Sequence, residues 1–155
     1  RSRLTTLQAN GIGDQLFVMR RIWADPRFVD PTIDPSDRRT PWCYLGDPSK
    51  ANDGVFGIGT VSTLRTWLNM WSLQDSDCRG APHLARLDLP TLLVQPTRDN
   101  GVFPEQAEEI FGLIAARDKE MVSMPGDHYF SAGDERSSVA DVVADWLARD
   151  DRSAV

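Results

Sequence analysis

An α/β fold with parallel strands is what this sequence predicts, and three observations lead there. Two short apolar runs, TLLVQ at residues 91–95 and EMVSM at 120–124, have the length of buried strands. One helical pattern lies between them and another follows, an alternation that suits parallel pairing through right-handed crossovers. A carboxylate, Asp99, follows the first run and a histidine, His128, follows the second. Loops at the carboxyl ends of neighbouring parallel strands adjoin, so these two side chains are expected side by side. With only two confident strands, a sheet edge is left uncovered and a further segment is expected to complete it. Residues 1–86 are read as a helical, loop-rich cap segment and 87–155 as the core part.

Composition narrows the partners. The 155 residues suffice for one domain, and 26% charged with 41% hydrophobic residues is the ordinary balance of a globular protein. A net charge of −6 and a pI near 4.8 disfavour a phosphate-binding surface, so nucleic acid is not an expected partner. No apolar run approaches the roughly 18–20 residues of a membrane span, so no membrane is expected either. The opening RSRLTTLQANG lacks the apolar centre of a secretory signal, which makes a cytoplasmic location the expectation. The start at Arg1, without a Met, reads either as a processed or proteolysed fragment or as numbering that begins after an unseen part. Cys43 and Cys78 stand apart without paired spacing and read as two reduced thiols, with a single bridge as the alternative.

Residues 1–12 show no clear period, and Asn10-Gly11 and Gly13 signal turns. Asp14 suits the cap of a short helix with Leu16, Met19 and Trp23 on one face, ended by Asp25-Pro26. From residue 26 to 59 the prolines at 26, 31, 35, 41 and 48 break any regular pattern. So long a stretch predicts an ordered cap, packed through Trp42, Tyr44, Val55, Phe56 and Ile58, and not a flexible linker. Thr60 opens the next predicted helix, with Val61, Leu64, Leu68 and Trp71 on one stripe and Trp67 and Met70 beside it. Core packing accounts for most such stripes. Trp67, Met70 and Trp71 are also the candidate wall of an apolar substrate pocket. His83, in GAPHLARLDLP, reads as a surface or connector histidine.

The strand at 91–95 is continuous in its apolar character, as for a strand covered on both faces. Pro104 suits the first position of the following helix, and Glu105, Glu108 and Glu109 suit its positive end. Ala107, Ile110, Phe111 and Ile114 form its predicted buried face. The last helix is predicted over about 135–149, burying Val139, Val142, Val143, Trp146 and Leu147.

The chemistry rests on Asp99 and His128. A carboxylate beside Nδ1 of an imidazole fixes the tautomer. It also stabilises the imidazolium formed when Nε2 takes a proton from a nucleophile. Each residue alone has a simpler reading: Asp99 as a turn residue before a helix, given Asn100-Gly101, and His128 as a loop histidine bonded to backbone. Their matched positions after successive strands favour the pair. Asp127 is a competing acid, but neighbouring side chains in an extended segment point opposite ways. Asp99, Asp127 and His128 lack a further ligand at metal-binding spacing, so no metal or cofactor is expected.

The run LPTLLVQPTRDNGVFP at residues 89–104 resembles the strand and acid loop near the C-terminal end of α/β-hydrolase fold proteins. MPGDHYF resembles their histidine loop, and the helix ending in VVADWLA resembles their last helix. The family's chain order is nucleophile, acid, histidine, and the last two match Asp99 and His128. The resemblance covers residues 87–148 and implies that residues 1–86 correspond to a cap insertion. The departure from the family is large. The nucleophile elbow G-x-S-x-G is absent, with Gly11-Ile12-Gly13-Asp14 placing an acid where a nucleophile would stand. Cys43, in PWCYLG, lacks the strand-to-helix setting of a nucleophile, and the oxyanion-hole segment and several N-terminal strands are missing as well.

The function this implies is the acid- and histidine-bearing part of a serine-type hydrolase, an esterase or thioesterase acting on a small-molecule carbonyl substrate. The nucleophile would come from the N-terminal half of the same protein or from a second subunit. Two alternatives stand beside it. One is a non-catalytic, hydrolase-like module that binds a ligand or partner. The other is a dehalogenase or epoxide hydrolase with an Asp nucleophile.

Overall fold

Residues 16–18 form a strand and not the helix their spacing predicts. The computed structural model describes residues 2–19, 23–54 and 60–149. Its chain divides into two compact units, Arg1–Asp25 with Leu45–Gly80, and Pro26–Tyr44 with Ala81–Val155. Residues 26–44, read from the sequence as part of the segment before the strands, thus pack with the C-terminal unit.

In the first unit, α1 (Ser2–Ala9) buries no residue, which is why it leaves no apolar period in the sequence. β1 (Leu16–Val18) pairs antiparallel with β2 (Val61–Thr63), Leu16 opposite Thr63 and Val18 opposite Val61. Leu-Phe-Val is a good strand former, and a partner strand outweighs three apolar residues at helical spacing. The pairing brings Asp14 to the start of α3 (Leu64–Trp71). Its carboxylate accepts from the Arg65 N–H at 3.3 and 3.4 Å, so Asp14 caps a helix fifty residues away in sequence and not its own. Val61 is consequently outside the helix, which begins after Thr63, whose hydroxyl accepts from the Thr66 N–H at 3.1 Å. Trp67 is half-buried and donates its indole N–H to the Met19 sulfur at 3.1 Å, while Met70 and Trp71 are exposed. α2 (Pro48–Asp53) is capped by the Asp47 carboxylate. Val55, Phe56 and Ile58 lie outside the described residues.

The second unit carries the predicted strand–helix–strand–helix core. After α4 (Ala81–Leu84) come β3 (Thr91–Pro96), α5 (Pro104–Leu113), β4 (Lys119–Met124) and α6 (Glu135–Leu147). β3 and β4 are parallel, in register from Thr91 opposite Lys119 to Pro96 opposite Met124. Pro104 opens α5, and the carboxylate of Asp34, brought in by the 26–44 segment, accepts from the Glu105 N–H at 3.1 and 3.3 Å. The buried apolar side chains are Phe28, Cys43, Phe103, Ala107, Ile114, Ala116 and Trp146.

Phe103 is the pivot of this core. It is 1% exposed and packs on Phe28, ring centroids 5.2 Å apart. The guanidinium groups of Arg27 and Arg38 lie 4.6 and 5.1 Å from its centre. Arg38 is itself buried. Its five N–H groups find acceptors in the backbone carbonyls of Arg27, Asp30, Ile33 and Asp34 and in the Ser36 hydroxyl. One side chain thereby ties together five points of a proline-interrupted segment.

β3 is only half-buried over residues 91–94, in contrast to the expected cover on both faces. Among the described residues β3 and β4 pair only with each other. The buried stripe of α6 is narrower than predicted: Trp146 is buried, Val139 and Val142 are half-buried, and Val143 and Leu147 are exposed. Cys43 is buried and Cys78 exposed, and no disulfide joins them. Among the described residues no helix is long and apolar enough to cross a membrane.

Candidate functional site

The two strands continue to hold one another beyond their last residues. The Thr97 N–H donates to the Met124 carbonyl at 2.9 Å and the Arg98 N–H to the Gly126 carbonyl at 2.8 Å. The acid loop and the histidine loop therefore leave the sheet side by side. A second tether is the buried Gln95, whose side-chain amide donates to the Val102 carbonyl at 3.1 Å. Arg98 and Glu135 form an ion pair that joins the acid loop to the first turn of α6.

Asp99 is 5% exposed, and its Oδ1 accepts from the N–H groups of Gly101 at 2.6 Å and Val102 at 3.0 Å. The same oxygen lies 2.9 Å from His128 Nδ1. Asp99 is thus both the turn residue that Asn100-Gly101 suggests and the histidine's partner. The two backbone donors fix the carboxylate before the imidazole is considered. An acceptor-only carboxylate here requires the proton on Nδ1, which leaves the Nε2 lone pair free. The His128 side chain is 30% exposed, and Nε2 has no hydrogen-bond partner among the described residues.

Three further groups enclose the imidazole. The Tyr44 ring stacks on it, centroids 5.0 Å apart and planes at 21°. Tyr129 meets it edge-on at 4.8 Å and 78°. The backbone of Gly101 comes so close that a Cβ there would sit 2.7 Å from His128 Cε1 and Nδ1, which is why this position takes glycine. Burial pushes the Tyr44 phenol above its ordinary pKa, with Tyr129 and Cys43 adding to the effect, so its ring carries no charge near neutrality.

Asp127 turns away, as its place beside His128 predicts. Its Oδ1 accepts from the Tyr129 N–H at 2.9 Å, the Ser131 N–H at 3.0 Å and the Ser131 hydroxyl at 2.9 Å. Partial burial raises its pKa, but these hydrogen bonds and the nearby Arg98 outweigh that and hold it below the usual carboxylate value. A depressed folded-state pKa stabilises the loop at pH values above the unfolded carboxylate's pKa. That contribution is lost as pH falls through the lower, folded value. Asp127→Ala is accordingly expected to cost about 1–2 kcal/mol at neutral pH and markedly less near pH 3, measured by urea denaturation at both. Equal losses at the two pH values would show that its charge plays no part.

Among the described residues no group of His, Cys, Asp and Glu is arranged to hold a metal ion. His83 is exposed on α4, its Nδ1 3.2 Å from Arg86 Nη2. Trp67, Met70 and Trp71 belong to α3 of the first unit, whereas every residue described around His128 belongs to the second. A cavity of about 300 Å³ in the second unit is lined by Asp37, Gln95, Ala107, Glu108, Met121 and Ser123 among others, and neither member of the dyad lines it.

The sequence offers no signal for Tyr44, which reaches His128 from far upstream. Its carrier is Asn100, which is buried and donates its side-chain amide to the carbonyls of Arg39 at 2.9 Å and Trp42 at 3.1 Å. The Asn100 carbonyl accepts from the Tyr44 N–H at 3.2 Å. The DNG triplet is a turn signal in sequence; in the structure each of its residues has a separate duty toward the histidine. Comparison with family models, with curated proteins and with solved structures yields no match to this chain.

Proposed function

We propose that this chain supplies the acid and the base of a serine-type α/β hydrolase that cleaves an ester, thioester or related carbonyl of a small molecule. The reading rests on one observation, the 2.9 Å contact between Asp99 Oδ1 and His128 Nδ1 beside an uncommitted Nε2. In this reading Nε2 takes the proton of a serine hydroxyl as the oxygen attacks the carbonyl carbon. The Asp99 carboxylate stabilises the resulting imidazolium, which then returns the proton to the leaving group. Water repeats the sequence on the acyl-enzyme and releases the acid. The serine comes from the N-terminal half of the same protein or from a second subunit, because no G-x-S-x-G stands in these residues. The half-buried β3 and the exposed Met121, Val143 and Leu147 support a companion segment that completes the sheet and covers apolar side chains. A cytoplasmic location belongs to the same reading.

A fluorophosphonate probe tests it. The protein is purified from its native source, reacted and analysed by denaturing mass spectrometry. A covalent adduct is expected on a serine within G-x-S-x-G, outside residues 1–155. A folded, monomeric chain of these residues that takes up no probe would overturn the proposal.

A further inference from the structure

We infer that Tyr44 is a positioning residue for His128, holding the imidazole plane so that Nδ1 meets Asp99 while Nε2 faces the reacting group. The inference rests on His128 being the base of the proposed reaction. A single hydrogen bond to Nδ1 leaves the ring free to rotate about it, and the contact to Asp99 is one such bond. What removes that freedom is contact on the faces and edges of the ring. The Tyr44 ring covers one face at 5.0 Å and 21°, within the range of offset stacking. Gly101 closes the Cε1–Nδ1 edge, and a Cβ there would also meet Tyr44 Cδ1 at 3.1 Å, so loop backbone, tyrosine and histidine form one contact.

Tyr44 is in turn not free to move. Its N–H is held by the Asn100 carbonyl at 3.2 Å, and the Asn100 side chain holds the carbonyls of Arg39 and Trp42. Cys43, beside it, is fully buried. The residue that follows the catalytic acid therefore fastens the segment that presents the tyrosine. Acid, base and stacking ring are set by one loop.

The test pairs a spectrum with a rate on the complete purified assembly. Protons over an aromatic face are shielded, so the His128 ring signals in a proton–carbon spectrum should lie upfield. They are assigned by their loss in His128→Gln. In Tyr44→Ala these signals should move downfield, and fluorophosphonate labelling should slow by about 10–100-fold, the loss expected from a misaligned reacting group. Tyr44→Phe should keep the shielding and restore most of the rate. Tyr44→Leu fills the space without a ring current and replaces Tyr44→Ala should that variant not fold. Unmoved His128 signals in either variant overturn the inference. So does a labelling rate that stays at the wild-type level once the signals have moved. A wild-type assembly that takes no label refutes the proposed reaction instead, and the spectra then still decide whether Tyr44 holds the ring.

Discussion

His128→Ala is expected to slow fluorophosphonate labelling of the assembled protein by about 10⁴-fold or more, with little change in its denaturation midpoint. The side chain is partly exposed and bonds only to Asp99 among the described residues, so its removal leaves the loop's backbone contacts in place. On the proposed reading, what disappears is the base that takes the serine proton. Asp99→Asn should fall short of that loss, at about 10³-fold. The reason is specific to this loop. One oxygen, Oδ1, accepts from Gly101, Val102 and His128, and an asparagine can keep that oxygen in the same place. The two backbone donors bias the amide against flipping, so the Nδ1–H tautomer survives and the lost quantity is the negative charge beside the imidazolium. Labelling rates of the two variants, measured side by side, check the order. A His128→Ala protein that labels at the wild-type rate removes the histidine from the reaction altogether.

Arg38→Met is expected to destabilise the second unit by about 3–5 kcal/mol in urea denaturation. Methionine fills part of the space on Phe103 but donates no hydrogen bond. Four backbone carbonyls and one hydroxyl then lose their donor, in a segment with no regular structure beyond the 3₁₀ turn Pro26–Phe28. Each buried acceptor left unmatched costs about 1–3 kcal/mol, and entry of water relieves some of them. Arg38→Lys should lie between the two, since an ammonium offers three donors and no planar fork. The effect should reach the site as well. Asp34, whose carbonyl Arg38 holds, caps α5, and residues 39–44 present the stacking tyrosine. A wild-type denaturation midpoint for Arg38→Met would show that the segment is ordered by other contacts.

The outcome differs between the two ends of the chain for a physical reason. The strand–helix–strand–helix run after residue 90 was legible because its punctuation is local: Pro104 starts α5, Leu92–Val94 is a continuous apolar run, and the more polar second strand is placed by the helix before it. Leu16, Met19 and Trp23 misled because three residues define a period poorly, and a partner strand at Val61–Thr63 decides their conformation. The stripe from Val61 to Trp71 was shortened by the same pairing, which takes Val61 out of the helix.

By itself, the sequence determined that an acid and a histidine follow two successive parallel strands, since strand length and helix punctuation are local properties. Only the tertiary structure decided that Gly101 and Tyr44 confine the ring, and that Arg38 and Asn100 secure the segment carrying Tyr44. Those contacts join residues far apart in the chain. Their geometry depends on which polar groups remain unsatisfied after the backbone has folded, and no local pattern records that.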